Sequence, residues 1–268
     1  MHGENEQNCL EIVKKSIATE SFFAMSAEDE RIVRHAINNA IPNPQISEFP
    51  DFLFDKGFIE HFQVTSSATT RKGATMAWEK SQIDKEFDRL TKEAISNLDA
   101  NHMAIQTVES ELYWHKKHSY DNFVHSFRSN FEHHIESLSK YKVDYEHSIY
   151  LIEYGDSVLR KSKKYPQNLM QEVSYGDLLL HENSAYRLSR DIELLKYLKE
   201  KSSYVKYVIF VNADRFSGTS VDVISSSNSL EIIKLLGEGY DFHCAMVGSS
   251  KVGIGVAIPM AKEKHINE

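Results

Sequence analysis

At 268 residues and 30.8 kDa, the chain can form one large domain or two small ones with a sizeable core. Its 41% hydrophobic and 26% charged content is that of an ordinary globular protein, and no apolar run approaches the length of a membrane span. The net charge of −8 argues against a protein that coats nucleic acid electrostatically, but leaves room for a local basic track or an acidic metal site.

The first segment, MHGENEQNCLEIVKKSI, is too polar for a signal peptide. Cys9 and Cys244 lie far apart, and neither sits in a redox or metal-ligand spacing. These features read as a reduced cytoplasmic protein without disulfides. Residues 1–41 read as helical. Ser26 with Asp29 makes a capping-box start, and Ile32, Val33, Ala36, Ile37 and Ala40 follow helical spacing until Pro42 and Pro44 stop them.

Residues 49–67, FPDFLFDKGFIEHFQVTSS, read as two short strands around a tight turn. A three-residue Asp55-Lys56-Gly57 loop, with Gly57 in the left-handed region, pairs Phe54 with Phe58 and Asp51 with His61. Phe52, Phe54, Phe58, Phe62 and Val64 then share one face. A two-residue Lys56-Gly57 loop instead sets Asp51 opposite Phe62 and diagonal to Glu60. Burial favours the first register and carboxylate clustering the second; a bulge near Glu60 would reconcile them.

From 76 to 145 the pattern predicts two or three amphipathic helices. Ile83, Phe87, Leu90, Ala94 and Leu98 form one stripe, Phe123, Phe127, Phe131, Ile135 and Leu138 a second, with Ile105, Val108 and Leu112 between them. Beyond that, strands are predicted at 148–154, 205–212 and 220–226 and helices at 185–200 and 229–239, with a Gly-rich C-terminal hairpin. The order implies an α/β or α+β protein. Three parts follow: 1–75 with the hairpin, a helical insertion or arm at 76–147, and the remaining α/β core at 148–268.

Pro50-Asp51, a turn, and an apolar strand carrying Glu60 and Gln63 resemble the PD-(D/E)XK phosphodiesterase superfamily. The resemblance implies a restriction-endonuclease-like mixed sheet flanked by helices, with a helical insertion. It implies Mg²⁺ (or Mn²⁺) held by Asp51 and Glu60, phosphodiester hydrolysis, DNA as partner, and a restriction or phage-defence setting. The family's Lys, two residues past the second acid, is Phe62 here. Gln63, His61 or Lys72 would then position the water or phosphate, and an alternative alignment puts Gln63 itself in the acidic slot. A hard cation with oxygen ligands polarises the phosphate and lowers the pKa of a bound water, which is why paired carboxylates suit this chemistry.

Arg160, Lys161, Lys163 and Lys164, with Arg71 beside Lys72, are candidates to hold a nucleic-acid backbone, or else solvated loop residues. Glu28 and Glu30 read as first-turn acids complementing a helix dipole, or, as the resemblance allows, as acids completing the metal shell. Glu153 reads as a solvent-facing residue at a sheet edge, the alternative being a third acid near the site. His115 and His118 share a helical face without further zinc-type ligands; His125, His133 and His134 read as surface residues. The reading of another class is a catalytically inactive nuclease-fold module, docking a second copy or a protein partner through residues 76–147.

Overall fold

The computed structural model describes residues 4–44, 49–70, 73–74, 85, 88–93, 95–96, 105–112, 118–141, 145–163, 185–214, 218–236, 240–244 and 250–257. Arg71, Lys72, His115 and Lys164 lie outside them. The chain divides into two compact units, one made of Met1–Ser67 and His118–Ala245 and the other of Ala68–Lys117 and Met246–Glu268. Among the described residues, no helix is long and apolar enough to cross a membrane.

The first unit is mixed α/β. Helix α1 (Glu4–Ser16), strand β1 (Phe22–Ala24) and helix α2 (Ala27–Asn39) open it. The predicted capping box forms: Ser26 Oγ accepts the Asp29 N–H and donates to the Asp29 carboxylate. The sequence reading of continuous helix over 1–41 is corrected at β1, whose Phe22-Phe23-Ala24 pairs in parallel with a strand two hundred residues away. Local spacing carries no trace of such a partner.

After β2 (Ile41–Pro42) come β3 (Phe52–Phe54) and β4 (Gly57–Val64). The second unit's described strands are β5 (Thr69–Thr70) with β6 (Gly73–Ala74), and β7 (Ile105–Leu112); residues 88–93 are helical. The first unit resumes with α3 (Tyr120–Lys140), β8 (His147–Tyr154), β9 (Leu159–Lys163), α4 (Ile192–Glu200), β10 (Tyr207–Asp214), β11 (Gly218–Ser225), α5 (Ser229–Leu236) and β12 (Tyr240–Cys244). Strand β13 (Ser250–Ala257) belongs to the second unit.

Two expectations change here. Residues 105–112 form a strand rather than a helix, because Thr107 and Val108 lie in a ladder with β13. Among the described residues, the strands flanking the predicted C-terminal hairpin pair elsewhere: β12 with β9 and β13 with β7.

Seven strands make the main sheet, in the order β1-β11-β10-β8-β4-β3-β2. Its centre, β4-β8-β10, is parallel, and parallel neighbours need crossovers. Helix α3 lies on the path from β4 to β8, and α4 on the path from β8 to β10. The central strands read as nearly continuous apolar runs because both faces are covered. On one face, Ile59, Ile149, Leu151, Ile209, Val211 and Val223 pack with Leu10 and Val13 of α1 and Val33 and Ile37 of α2. On the other, Phe58, Phe62, Tyr150, Ile152 and Phe210 pack with Phe123, Phe127 and Phe131 of α3 and Leu194 and Leu198 of α4. Side chains alternate along a strand, so even-numbered residues of β4 and β8 face α3 and odd-numbered ones face α1.

The hairpin adopts neither expected register. Phe54 pairs with Gly57, Leu53 with Phe58 and Phe52 with Ile59, leaving Asp55-Lys56 as a two-residue turn. Phe52 and Phe54 therefore join the α1 face while Phe58, Phe62 and Val64 face α3. Gly57 does not take positive φ. Its role is steric: a Cβ built there would lie 1.9 Å from the backbone oxygen of His147 and 2.8 Å from the Phe54 ring. Gly57→Ala is thus expected to cost at least ~3 kcal/mol, the top of the overpacking range, since backbone must move. A urea midpoint within error of wild type would contradict this.

Where the second unit departs from the first, the chain ends lie side by side. Ser67 and His118 form an antiparallel bridge, and the Ser119 N–H donates to the Ser66 carbonyl at 2.9 Å.

Candidate functional site

Beyond Phe52 the β3–β4 ladder stops, and two acid side chains take over its hydrogen bonds. The His61 N–H donates to Asp51 Oδ2 at 2.7 Å, and the Asp51 N–H donates to Glu60 Oε2 at 3.1 Å. The observed register, extended by one pair, sets Asp51 opposite Glu60. The structure thus brings these two predicted residues together.

The electrostatics follow from that crowding. Burial, and then the charge of Glu60, push the Asp51 carboxyl up to about 6, against the pull of the His61 N–H. Burial pushes Glu60 up to about 7, against hydrogen bonds from the Asp51 backbone and side chain. The charge of Glu6, on α1, raises both.

Glu60 has a further partner. His134 of α3, read from sequence as a surface residue, is half-buried with Nδ1 2.7 Å from Glu60 Oε1. The spacing suits an ion pair, yet burial holds the imidazole down at about 4 while it raises Glu60. Both shifts favour the neutral form, so burial biases the contact toward a carboxylic acid and an unprotonated imidazole and away from an ion pair. Phe62, at the place of the family's Lys, stacks on this ring at 4.5 Å and 10°. It walls the pair with an apolar surface.

These shifts make the metal-free protein's stability depend on pH. The folded carboxyls bind protons at about 6 and 7, above the ordinary 3.8 and 4.5, so stability rises as pH falls through the folded values. From pH 8 to 6.5 the two carboxyls contribute a gain of about 1 kcal/mol, most of it from Glu60. An unfolded histidine is already half protonated at pH 6.5 while His134 resists, which takes back about 0.4 kcal/mol and leaves a net gain of about 0.5 kcal/mol. Urea denaturation in EDTA at the two pH values measures the effect. An equal gain in Glu60→Gln would refute the assignment.

His61 and Gln63 extend to the other face of the sheet. There Gln63 Nε2 donates to Glu153 Oε2 at 2.9 Å, and His61 Nε2 lies 3.3 Å from the same oxygen. The expectation that Glu153 faces solvent at a sheet edge is corrected: β8 is a central strand, between β4 and β10. Its Glu153 side chain is only 19% exposed. Cys9 of α1 completes the group. One ligand atom each from Cys9, His61 and Glu153 falls within 4.8 Å of the other two. Burial, and then the Glu153 charge, hold the Cys9 thiol well above its usual range.

The chain matches no protein-family model, no curated protein and no solved structure.

What the site can do follows from its own donor atoms. Asp51 and Glu60 offer hard oxygen ligands suited to Mg²⁺ or Mn²⁺, while His61 and Gln63 stand on the opposite side of the strand from Glu60. Of the basic cluster, Arg160 is buried in β9 and bonded to Asp214 and to the Ser157 carbonyl. Lys161 Nζ sits 5.1 Å over the Tyr240 ring. Lys163 lies on β9, not on a loop. Glu28, exposed, and Glu30, half-buried, are first-turn acids paired with Arg31 and Arg34. Sequence reading passed over Glu6, found no ligand spacing around Cys9 and placed His134 on the surface. The usable signal for the first two was position: Glu6 and Cys9 lie three residues apart and so share a helical face.

Proposed function

We propose that this protein is a divalent-metal-dependent phosphodiesterase with a restriction-endonuclease-like core, acting on DNA, in which Asp51 and Glu60 hold Mg²⁺ or Mn²⁺. One observation carries the reading: two carboxyls from the two arms of one hairpin meet where its ladder ends. Like charges so placed are costly to ionise together, and a divalent cation between them removes the cost. Glu6 would add a third acid from α1. The substrate and the setting in phage defence rest on the resemblance of Pro50-Asp51 and Glu60 to the superfamily motif.

A second reading has its own support. Phe62 stacked on His134 supplies no proton donor, and Arg160 is engaged with Asp214, so the same core could bind without cutting. Incubating supercoiled plasmid with Mg²⁺ or Mn²⁺, with an EDTA control, separates the two. Metal-dependent nicking lost in Glu60→Gln supports the enzyme. Metal binding without any cleavage supports the inactive module, and a protein that neither binds metal nor cuts contradicts the site.

A further inference from the structure

We propose that Cys9, His61 and Glu153 form a second metal site, for a borderline-soft divalent cation of the zinc class. The three residues come from α1, β4 and β8, elements that only the folded sheet and its covering helix bring together. A thiolate, an imidazole and a carboxylate are the donor types that select zinc-like ions, whereas Asp51 and Glu60 offer oxygen alone.

The spacing is close to what such an ion needs. With metal–ligand bonds of about 2.0–2.3 Å, tetrahedral ligands lie about 3.5 Å apart. The ligand atoms here lie within 4.8 Å of one another, and His61 Nε2 is already 3.3 Å from Glu153 Oε2. Closing the remainder takes side-chain rotations of about an ångström.

The surroundings fit as well. Cys9 is 1% exposed and the His61 side chain 4%, while Glu153 at 19% leaves a route of entry. Gln63 holds the Glu153 carboxylate in place through its amide, the kind of outer hydrogen bond that orients metal ligands. With three protein ligands, the fourth position stays open for water or an added ligand. Alternation along β4 puts this group on the α1 face and Glu60 on the α3 face, so the two ligand sets lie on opposite sides of one strand and differ in donor chemistry. Binding requires loss of the Cys9 thiol proton, which leaves to solvent as the metal–sulfur bond forms.

Co²⁺ added to the metal-free full-length protein under reducing conditions provides the test. The expected result is one equivalent of Co²⁺ that carries a near-ultraviolet thiolate-to-cobalt band and tetrahedral visible bands, and displacement of that equivalent by Zn²⁺. Cys9→Ser should abolish the thiolate band and weaken Zn²⁺ binding at least ~100-fold. Cys244→Ser, which removes the chain's other cysteine, should leave the band unchanged. Absence of the band in wild type, or its loss in Cys244→Ser, overturns the proposal whether or not Cys9→Ser folds. So does its persistence in a folded Cys9→Ser. Glu153→Gln, which keeps the side chain's size, should weaken Co²⁺ binding; unchanged affinity would remove Glu153 from the site. None of these readouts depends on cleavage, so their failure is distinct from failure of the phosphodiesterase reading.

Discussion

Asp51→Asn is expected to lower Mg²⁺-dependent cleavage at least ~100-fold while leaving the fold intact. Asparagine keeps a carbonyl oxygen that can accept the His61 N–H, so the end of the β3–β4 ladder keeps its hydrogen bond. What it removes is charge, the property that binds a hard cation. The loss should show in kcat/KM for plasmid nicking and as weaker Mg²⁺ binding by calorimetry, with the melting temperature no lower than wild type. Removing one of two buried, mutually repelling carboxyls even favours a small rise in the metal-free state. Cleavage at the wild-type rate would show that Asp51 does nothing but cap a strand.

The largest stability effect is expected at Phe131. Its ring is fully buried on α3, with centroids 4.9 Å from Tyr150, 5.5 Å from Tyr197 and 5.9 Å from Phe127. Phe131→Ala should cost about 3–5 kcal/mol, the transfer term plus the cavity left among rings that cannot collapse into it. Phe131→Leu, which refills part of the volume, should cost distinctly less. Phe131 also lies one helical turn before His134, so the alanine variant should loosen the imidazole against Phe62 and Glu60. Chemical denaturation gives the first effect, and the His134 ring resonances followed against pH give the second. An alanine variant within 1 kcal/mol of wild type would mean that the aromatic cluster is not the core it resembles.

Much of this fold was legible where the information is local. The Ser26 capping box, the helices around Phe123–Leu138 and 229–236, and the apolar strands at 148–154 and 205–212 all follow from spacing within one element. Features set by a distant partner were not legible. Thr107 and Val108 belong to a strand because β13 lies beside them, and Glu153 sits mid-sheet because β4 and β10 flank β8. Gly57 shows the difference within one residue. Its type suggested a turn requiring left-handed backbone, but its reason lies in the approach of His147, ninety residues on. That choice moved the hairpin by one residue, and with it the partner of Asp51. For the site, the paired acids were readable from their motif. Cys9 and His134 were not, since each acquires a role only from the sheet face its helix covers.

The bridge between Ser67 and His118 gives the first unit a seam. Residues 68–117 leave and return at adjacent points, and the strand paired with β7 is supplied by the tail after Ala245. The main sheet, its covering helices and both proposed metal sites are composed of residues of the first unit. Across the excursion of residues 68–117 the first unit is already closed, since Ser67 and His118 lie within reach of a short turn. A chain in which a short turn replaced residues 68–117 would keep every residue of both proposed metal sites.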